Sequence, residues 1–158
     1  MFKHILCPID GSDTSLGALQ AAAKLAAEQN ARLTICTVVS PSKAAALAFG
    51  DPAMSALCFG ALEDEGKKLV DDAAQLVKDV TPAQTAALDG ETVECIVTYA
   101  RDNHCDLIVM GSHGRSGIHR ALIGSVAEGV VRHAHAPVLV IRSQKTPAVS
   151  KKAEAHAR

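Results

Sequence analysis

The sequence predicts an α/β protein in which helices cover both faces of a five-stranded, mainly parallel, doubly wound sheet. Strand-like and helix-like periodicities alternate along its 158 residues. Several strand-like runs are continuously apolar, which is typical of parallel strands buried on both faces. A chain of this length most simply forms one domain, and it contains no internal repeat.

The first three predicted elements form a β-α-β unit. Residues 5–9 are a short apolar run that ends at Asp10-Gly11-Ser12, after which leucine and alanine recur at helical spacing over residues 16–26. Residues 33–39, LTICTVV, are rich in β-branched residues and predict the second strand.

Residues 40–60 are harder to interpret. Two prolines and two glycines are expected to break any long helix: Pro41, Gly50, Pro52 and Gly60. The many alanines, however, are unlike the composition of a disordered linker. We therefore expect an irregular excursion that could include a short helical turn and could cover a site. Residues 62–80 then return to a helical pattern with charges on one side.

The remaining elements complete the sheet. Residues 84–88 predict a weak strand, 93–101 a helix, 106–110 (DLIVM) a strand, about 126–133 a helix, and 137–141 (PVLVI) the last strand. This alternation implies right-handed crossovers. The expected strand order is 3-2-1-4-5, a Rossmann-like arrangement.

Composition limits the partners. A net charge of -1, a pI near 6.6 and only four aromatic residues disfavour nucleic acid as a ligand. No run of about eighteen apolar residues could cross a membrane, and the N-terminus lacks a signal-peptide pattern, so we expect a cytoplasmic protein. The five cysteines include no C-x-x-C pair, so neither a disulfide framework nor a zinc site is supported.

The loop after the fourth predicted strand, GSHGRSGIHRALIGS (residues 111–125), is rich in glycine and basic residues. In doubly wound sheets, ligands bind at the carboxyl ends of the strands where the strand order reverses. That point lies between the first and fourth strands, so this loop should meet Asp10. Gly111 and Gly114 can turn their amides toward an anion, and a helix beginning at Gly124-Ser125 adds free amides.

Several of these residues have alternative interpretations. Ser125-x-x-Glu128 could be a capping box rather than a phosphate contact. Asp10 could bind a ribose diol or a metal ion, or could form an Asx turn. His113 is better suited to a structural or phosphate-orienting role than to catalysis. The basic loop residues Arg115, His119 and Arg120 could neutralise phosphate charge, although exposed loop arginines are more often solvated. The histidines of H-x-H fit a helix C-terminus better than a metal site: His133 and His135.

The loop lacks both the P-loop pattern and G-x-G-x-x-G. Its spacing, G-x2-G-x9-G-S, together with ILCPIDGSD and PVLVIR, resembles the ATP-binding branch of the universal stress protein family over residues 1–142. The resemblance implies that Asp10 meets the ribose, that Val38 offers backbone to adenine, and that the loop wraps the triphosphate. The resulting nucleotide-binding set is Pro8, Ile9, Asp10, Val38, Met110, Gly111, His113, Gly114, Arg115, Gly124, Ser125 and Val126.

We therefore expect an ATP-dependent sensor or regulator of the stress response with slow or no hydrolysis, in which the phosphates carry Mg²⁺ or Mn²⁺. The alternatives are a nucleotide-free dimeric interaction module and a weak metal-dependent ATP hydrolase. The last strand, residues 137–141, should pair with its twin in a homodimer, because a flat apolar edge would otherwise be exposed. The protein partners are unknown, and the polar residues 143–158 are expected to be a disordered tail.

Overall fold

The computed structural model describes residues 1–113 and 123–142. Strands and helices alternate within them: β1 (His4–Pro8), α1 (Asp13–Gln29), β2 (Arg32–Val39), α2 (Pro41–Leu47), α3 (Pro52–Val77), β3 (Ala83–Asp89), α4 (Thr92–Asp102), β4 (Leu107–Gly111), α5 (Ser125–His133) and β5 (Val138–Ile141). The strands form one parallel sheet in the order β3-β2-β1-β4-β5. The predicted fold class and strand order are confirmed.

The central strands are buried on both faces, as their continuous apolar runs predict. Alternate side chains of β1 enter two different clusters, because successive residues of a strand point to opposite faces. Ile5 and Cys7 pack beneath α1 and α3, whereas Leu6 packs beneath α4 and α5. Burying both faces provides the main driving force for folding.

Helix α1 is positioned by well-formed ends. The Ser12 hydroxyl accepts a hydrogen bond from the Ser15 amide, which caps the N-terminus. Asn30 ends the helix in the left-handed conformation, with φ 52°. The buried face of α1 is mostly alanine, which lets the helix lie close to the sheet.

The expectation of an irregular excursion over residues 40–60 is wrong: this segment is the helix α2 followed by the first part of α3. Pro41 and Pro52 each stand in a first helical turn, where no N–H is required. Gly60 lies inside α3 and does not break it. Of the four expected helix breakers, only Gly50 acts as one, in a turn where its φ is 87°.

A polar cluster surrounds His4 at the amino ends of the strands, at the edge opposite the Asp10 loop. The His4 ring is almost fully buried, with Nε2 2.8 Å from Thr34 Oγ1 and Nδ1 3.0 Å from the Asn103 carbonyl oxygen. The Asp106 carboxylate accepts hydrogen bonds from the amides of Lys3 and His4. Burial lowers the pKa of His4 below its ordinary value.

The five cysteines are free thiols. Burial raises the pKa of Cys7 to about 12 and that of Cys105 to about 11, so both remain neutral at physiological pH. Within residues 1–113 and 123–142, no helix is long and apolar enough to cross a membrane.

Candidate functional site

A cavity of about 520 Å³ opens where the strand order reverses, at the carboxyl ends of β1 and β4. The cavity lining includes ten of the twelve sequence-predicted site residues: Pro8, Ile9, Asp10, Val38, Met110, Gly111, His113, Gly124, Ser125 and Val126. The other two, Gly114 and Arg115, lie outside the described residues, as do His119 and Arg120. Residues that are more than a hundred positions apart in sequence therefore share one wall.

Sequence reasoning missed seven residues of this lining: Ser15, Thr37, Thr92, Ile96, Ser112, Ile123 and Ala127. Thr37 could have been found, because it lies beside Val38 at the carboxyl end of β2. Thr92 is the first residue of α4, which follows β3 and therefore begins at the same edge of the sheet. Ile96 lies one helical turn further on, so α4 supplies a wall that the glycine pattern does not reveal.

Asp10 forms the Asx turn that was its alternative interpretation. Its Oδ1 accepts hydrogen bonds from the Ser12 amide at 3.0 Å and from the Ser12 hydroxyl at 2.6 Å. The Ser12 hydroxyl also lies 3.2 Å from Thr14 Oγ1, which donates to the His113 carbonyl oxygen at 2.5 Å. The two hydroxyl protons thus serve two neighbouring hydrogen bonds, one from Ser12 to the Asp10 carboxylate and one from Thr14 to the start of the glycine loop.

Gly111 is required for packing. A Cβ at this position would lie 2.9 Å from the Thr14 carbonyl carbon and 3.0 Å from the Ser15 nitrogen. Only a glycine lets the first turn of α1 approach the end of β4 this closely. The lack of a side chain at Gly111 therefore has an architectural cause that sequence alone could not reveal.

The capping box at Ser125, one of the two interpretations of that residue, does not form. The N-cap of α5 is Gly124, whose backbone is extended and whose carbonyl oxygen accepts from the Glu128 amide at 2.9 Å. Ser125 is already the first helical residue, so its hydroxyl does not serve as the cap. The first turn, Ser125 to Ala127, lines the cavity, and its amides carry the positive end of the helix dipole there.

The histidines are held by nearby polar groups. His113 Nδ1 lies 3.1 Å from the buried Ser112 hydroxyl, and the Ser112 amide donates to the Ile141 carbonyl oxygen at 2.8 Å. His133 Nδ1 lies 2.8 Å from the Gly129 carbonyl oxygen in the last turn of α5, which agrees with the helix C-terminus interpretation. Among the described residues, no group of three or more potential ligands could hold a metal ion.

The family model for the universal stress protein family matches residues 1–142. The chain belongs to the universal stress protein family. Universal stress protein MJ0531 of Methanocaldococcus jannaschii is 36% identical over 148 residues, covering 92% of this chain and 85% of that protein. Universal stress protein YxiE of Bacillus subtilis is 33% identical over 148 residues, covering 90% of this chain and 100% of that protein.

Solved structures of family members resemble the fold closely. UspA from Lactobacillus plantarum superposes with a TM-score of 0.77 at 32% identity, covering 89% of this chain and 98% of that one. A universal stress protein in complex with cAMP gives a TM-score of 0.65 at 30% identity, with coverage of 89% and 97%. The hypothetical protein MJ0577 superposes with a TM-score of 0.81 at 26% identity, covering 92% of this chain and 99% of that one.

Proposed function

We propose that this universal stress protein binds ATP in the 520 Å³ cavity and acts as a nucleotide-dependent sensor or regulator in the stress response. The observation that carries the proposal is the meeting of Asp10, the end of β4 and the first turn of α5 around one cavity. Its volume lies within the range of about 300–1,000 Å³ that is usual for small-molecule sites. A family member in complex with cAMP supports an adenine nucleotide as the ligand class.

The adenosine half of the ligand fits the side of the cavity formed by β1, β2 and α4. Pro8, Ile9 and Val38 offer apolar surface to the base, and Ile96 adds to it from α4. Asp10 follows Ile9 at the end of β1 and lines the same cavity, and a carboxylate is a suitable acceptor for ribose hydroxyls. Its existing bonds from Ser12 fix its orientation before any ligand arrives.

The phosphates fit the opposite side. The amides at the start of α5 and the dipole of that helix attract negative charge. Gly111 and His113 reach the cavity from β4, and Gly114 and Arg115 follow them in sequence. Mg²⁺ or Mn²⁺ would be carried chiefly by the phosphates, since Asp10 is the one carboxylate among the described cavity residues.

The same residue set supports slow or absent hydrolysis. Phosphoryl transfer requires positioned metal ligands and a group that orients the attacking water. Asp10, the single carboxylate of the described lining, is engaged by Ser12 on the adenosine side. Turnover of many equivalents of ATP with Mg²⁺ or Mn²⁺ would instead favour the hydrolase alternative.

A homodimer through β5 accompanies this proposal. β5 pairs with β4 on one side and is the edge strand of the sheet formed by the described residues, and Leu139 on it is 42% exposed. Pairing of two such edges across a two-fold axis would remove both from water.

Two valines of α5 provide a matched test of the nucleotide site by calorimetric titration. Val126 lines the cavity and is 36% exposed, whereas Val131 is 50% exposed and is not part of the lining. Val126→Glu should weaken ATP binding at least ~10-fold, because it places a like charge beside the phosphates. Val131→Glu should bind as the wild type does. Equal ATP affinities of the two variants would place the ligand outside this cavity, and a wild type that binds no nucleotide would favour the nucleotide-free interaction module.

A further inference from the structure

Ser112 belongs to the part of the cavity wall that the glycine pattern does not single out, and it is only 3% exposed. It follows Gly111 at the end of β4 and precedes His113. Its amide donates to the Ile141 carbonyl oxygen at 2.8 Å, and its carbonyl oxygen accepts from the Gly124 amide at 2.7 Å. The Ser112 hydroxyl is therefore carried on a backbone that is fixed both to β5 and to the start of α5.

The Ser112 hydroxyl contacts the ring of the next residue, with Oγ 3.1 Å from His113 Nδ1. A buried hydroxyl proton is costly to leave without an acceptor. In the part of the chain that the structure describes, His113 Nδ1 is the one acceptor within hydrogen-bond distance of this hydroxyl. The Ser112 proton is therefore donated to Nδ1, and a neutral His113 ring must then carry its own hydrogen on Nε2.

Further contacts fix where the His113 ring stands. Thr14 Oγ1 donates to the His113 carbonyl oxygen at 2.5 Å, which holds the backbone. On the side of the ring away from Nδ1, the carbon Cδ2 lies 3.9 Å from the point that a Cβ of Gly124 would occupy. Nε2 is bonded to Cδ2. The ring thus stands with Nδ1 toward Ser112 and with its Cδ2–Nε2 edge beside the N-cap of α5.

The position of the ring hydrogen decides how His113 acts on a phosphate at the start of α5. Phosphate oxygens accept hydrogen bonds from the free amides of a helix N-terminus. An Nε2–H adds one more donor to that set, whereas an unprotonated Nε2 would direct a lone pair at the same oxygens and repel them. The sign of the interaction therefore depends on a hydrogen that the Ser112 hydroxyl fixes from the other side of the ring.

We infer that Ser112 is a positioning residue of the nucleotide site, which holds His113 in the tautomer that donates a hydrogen bond from Nε2 to a nucleotide phosphate. The inference rests on the proposed function and assigns to the Ser112 side chain no contact with the ligand. A hydrogen bond made by one ring nitrogen is a general means of setting the state of the other. Loss of the Ser112 hydroxyl should weaken ATP binding about 3–10-fold, the effect of one hydrogen bond.

A double-mutant cycle, measured by calorimetric titration with ATP, separates this role from a general effect on the fold. Ser112→Ala should lose affinity in the wild-type background. In the His113→Ala background the same substitution should change the affinity less than about two-fold, because the ring that Ser112 positions is absent. Far-UV circular dichroism establishes that each variant is folded. Equal losses in both backgrounds would show that Ser112 acts on the site without His113 and would overturn the inference.

The ring nitrogens of His113 report the hydrogen bond in the ligand-free protein. Their ¹⁵N shifts are measured at about pH 8.5, where histidine side chains are ordinarily neutral, and are assigned by comparison with His113→Ala. They should show an unprotonated, hydrogen-bonded Nδ1 and a protonated Nε2, and Ser112→Ala should move the Nδ1 signal. Ser15→Ala removes another buried hydroxyl of the cavity wall, one that donates to the Ser12 carbonyl oxygen at 2.9 Å, and should leave that signal in place.

These spectra distinguish failure of the inference from failure of the proposed function. A protonated Nδ1 in a wild type that binds ATP, or equal Nδ1 shifts in Ser112→Ala and Ser15→Ala, would overturn the positioning role alone. A wild type that binds no ATP would overturn the proposed function and, with it, the role of Ser112 toward a nucleotide.

Discussion

Substituting Gly111 with alanine should destabilise the protein through a clash with backbone atoms. The new Cβ would lie 2.9 Å from the Thr14 carbonyl carbon, whereas carbon atoms in contact normally lie about 3.5–4.0 Å apart. The first turn of α1 would have to move outward by roughly 0.6–1 Å. That movement would stretch the bond from Thr14 Oγ1 to the His113 carbonyl oxygen. Overpacking and the lost bond together should cost about 2–4 kcal/mol.

Urea unfolding of Gly111→Ala, followed by far-UV circular dichroism without ligand, measures this cost directly. Gly17→Ala is the matched control, because Gly17 lies inside α1 and no other group lies within 4 Å of where its Cβ would stand. The control should gain about 0.5–1 kcal/mol from improved helix propensity. If Gly111→Ala were as stable as the wild type, the close approach of α1 to β4 would not exist as described.

Three further outcomes are expected. Thr14→Val removes the hydroxyl that donates to the His113 carbonyl oxygen, so it should lower the free energy of unfolding by about 1 kcal/mol and lower the ATP affinity measured by titration. If both quantities were unchanged, the bond would not support the loop. Burial lowers the pKa of His4, so below pH 6.5 the unfolded chain binds a proton that the folded chain does not, and the free energy of unfolding should decrease as the pH is lowered. His4→Gln should reduce this pH dependence in urea unfolding at several pH values. A thiol reagent at pH 8 should modify the partly exposed cysteines, Cys58 and Cys95, before the buried ones, and early reaction of Cys7 or Cys36 would contradict the packing.

The fold was predictable because periodicity reports burial, and burial on both faces of a strand nearly specifies a parallel sheet. The structure of residues 40–60 was not predictable in the same way, because proline and glycine have opposite effects on a helix at different positions. Pro52 in a first turn starts a helix, whereas the same residue in a helix interior would break it. The pair Asp51-Pro52 is a helix-start signal of this kind, with an acidic N-cap followed by proline at the first helical position.

The candidate site was predictable where residues lie at strand ends, as Pro8, Val38 and Gly111 do. The part of the cavity wall that α4 contributes was not predictable, because Thr92 and Ile96 have the pattern of ordinary helix residues, and only the crossover connection brings them beside the cavity. The start of α5 at Gly124-Ser125 was predictable, but which of the two residues is the N-cap was not, because a glycine and a serine can each take that position. The role of Gly111 in packing depends on tertiary contacts alone.

Titration of ¹⁵N-labelled protein with ATP, followed by amide chemical shifts, tests the central claim most directly. If ATP binds in the cavity, the shifts should saturate and should be largest for residues of its wall, including Ile9, Asp10, Gly111 and Val126. Amides around His4, at the other edge of the sheet, should hardly move. Absence of shifts at millimolar ATP, or shifts centred away from the cavity, would contradict the account.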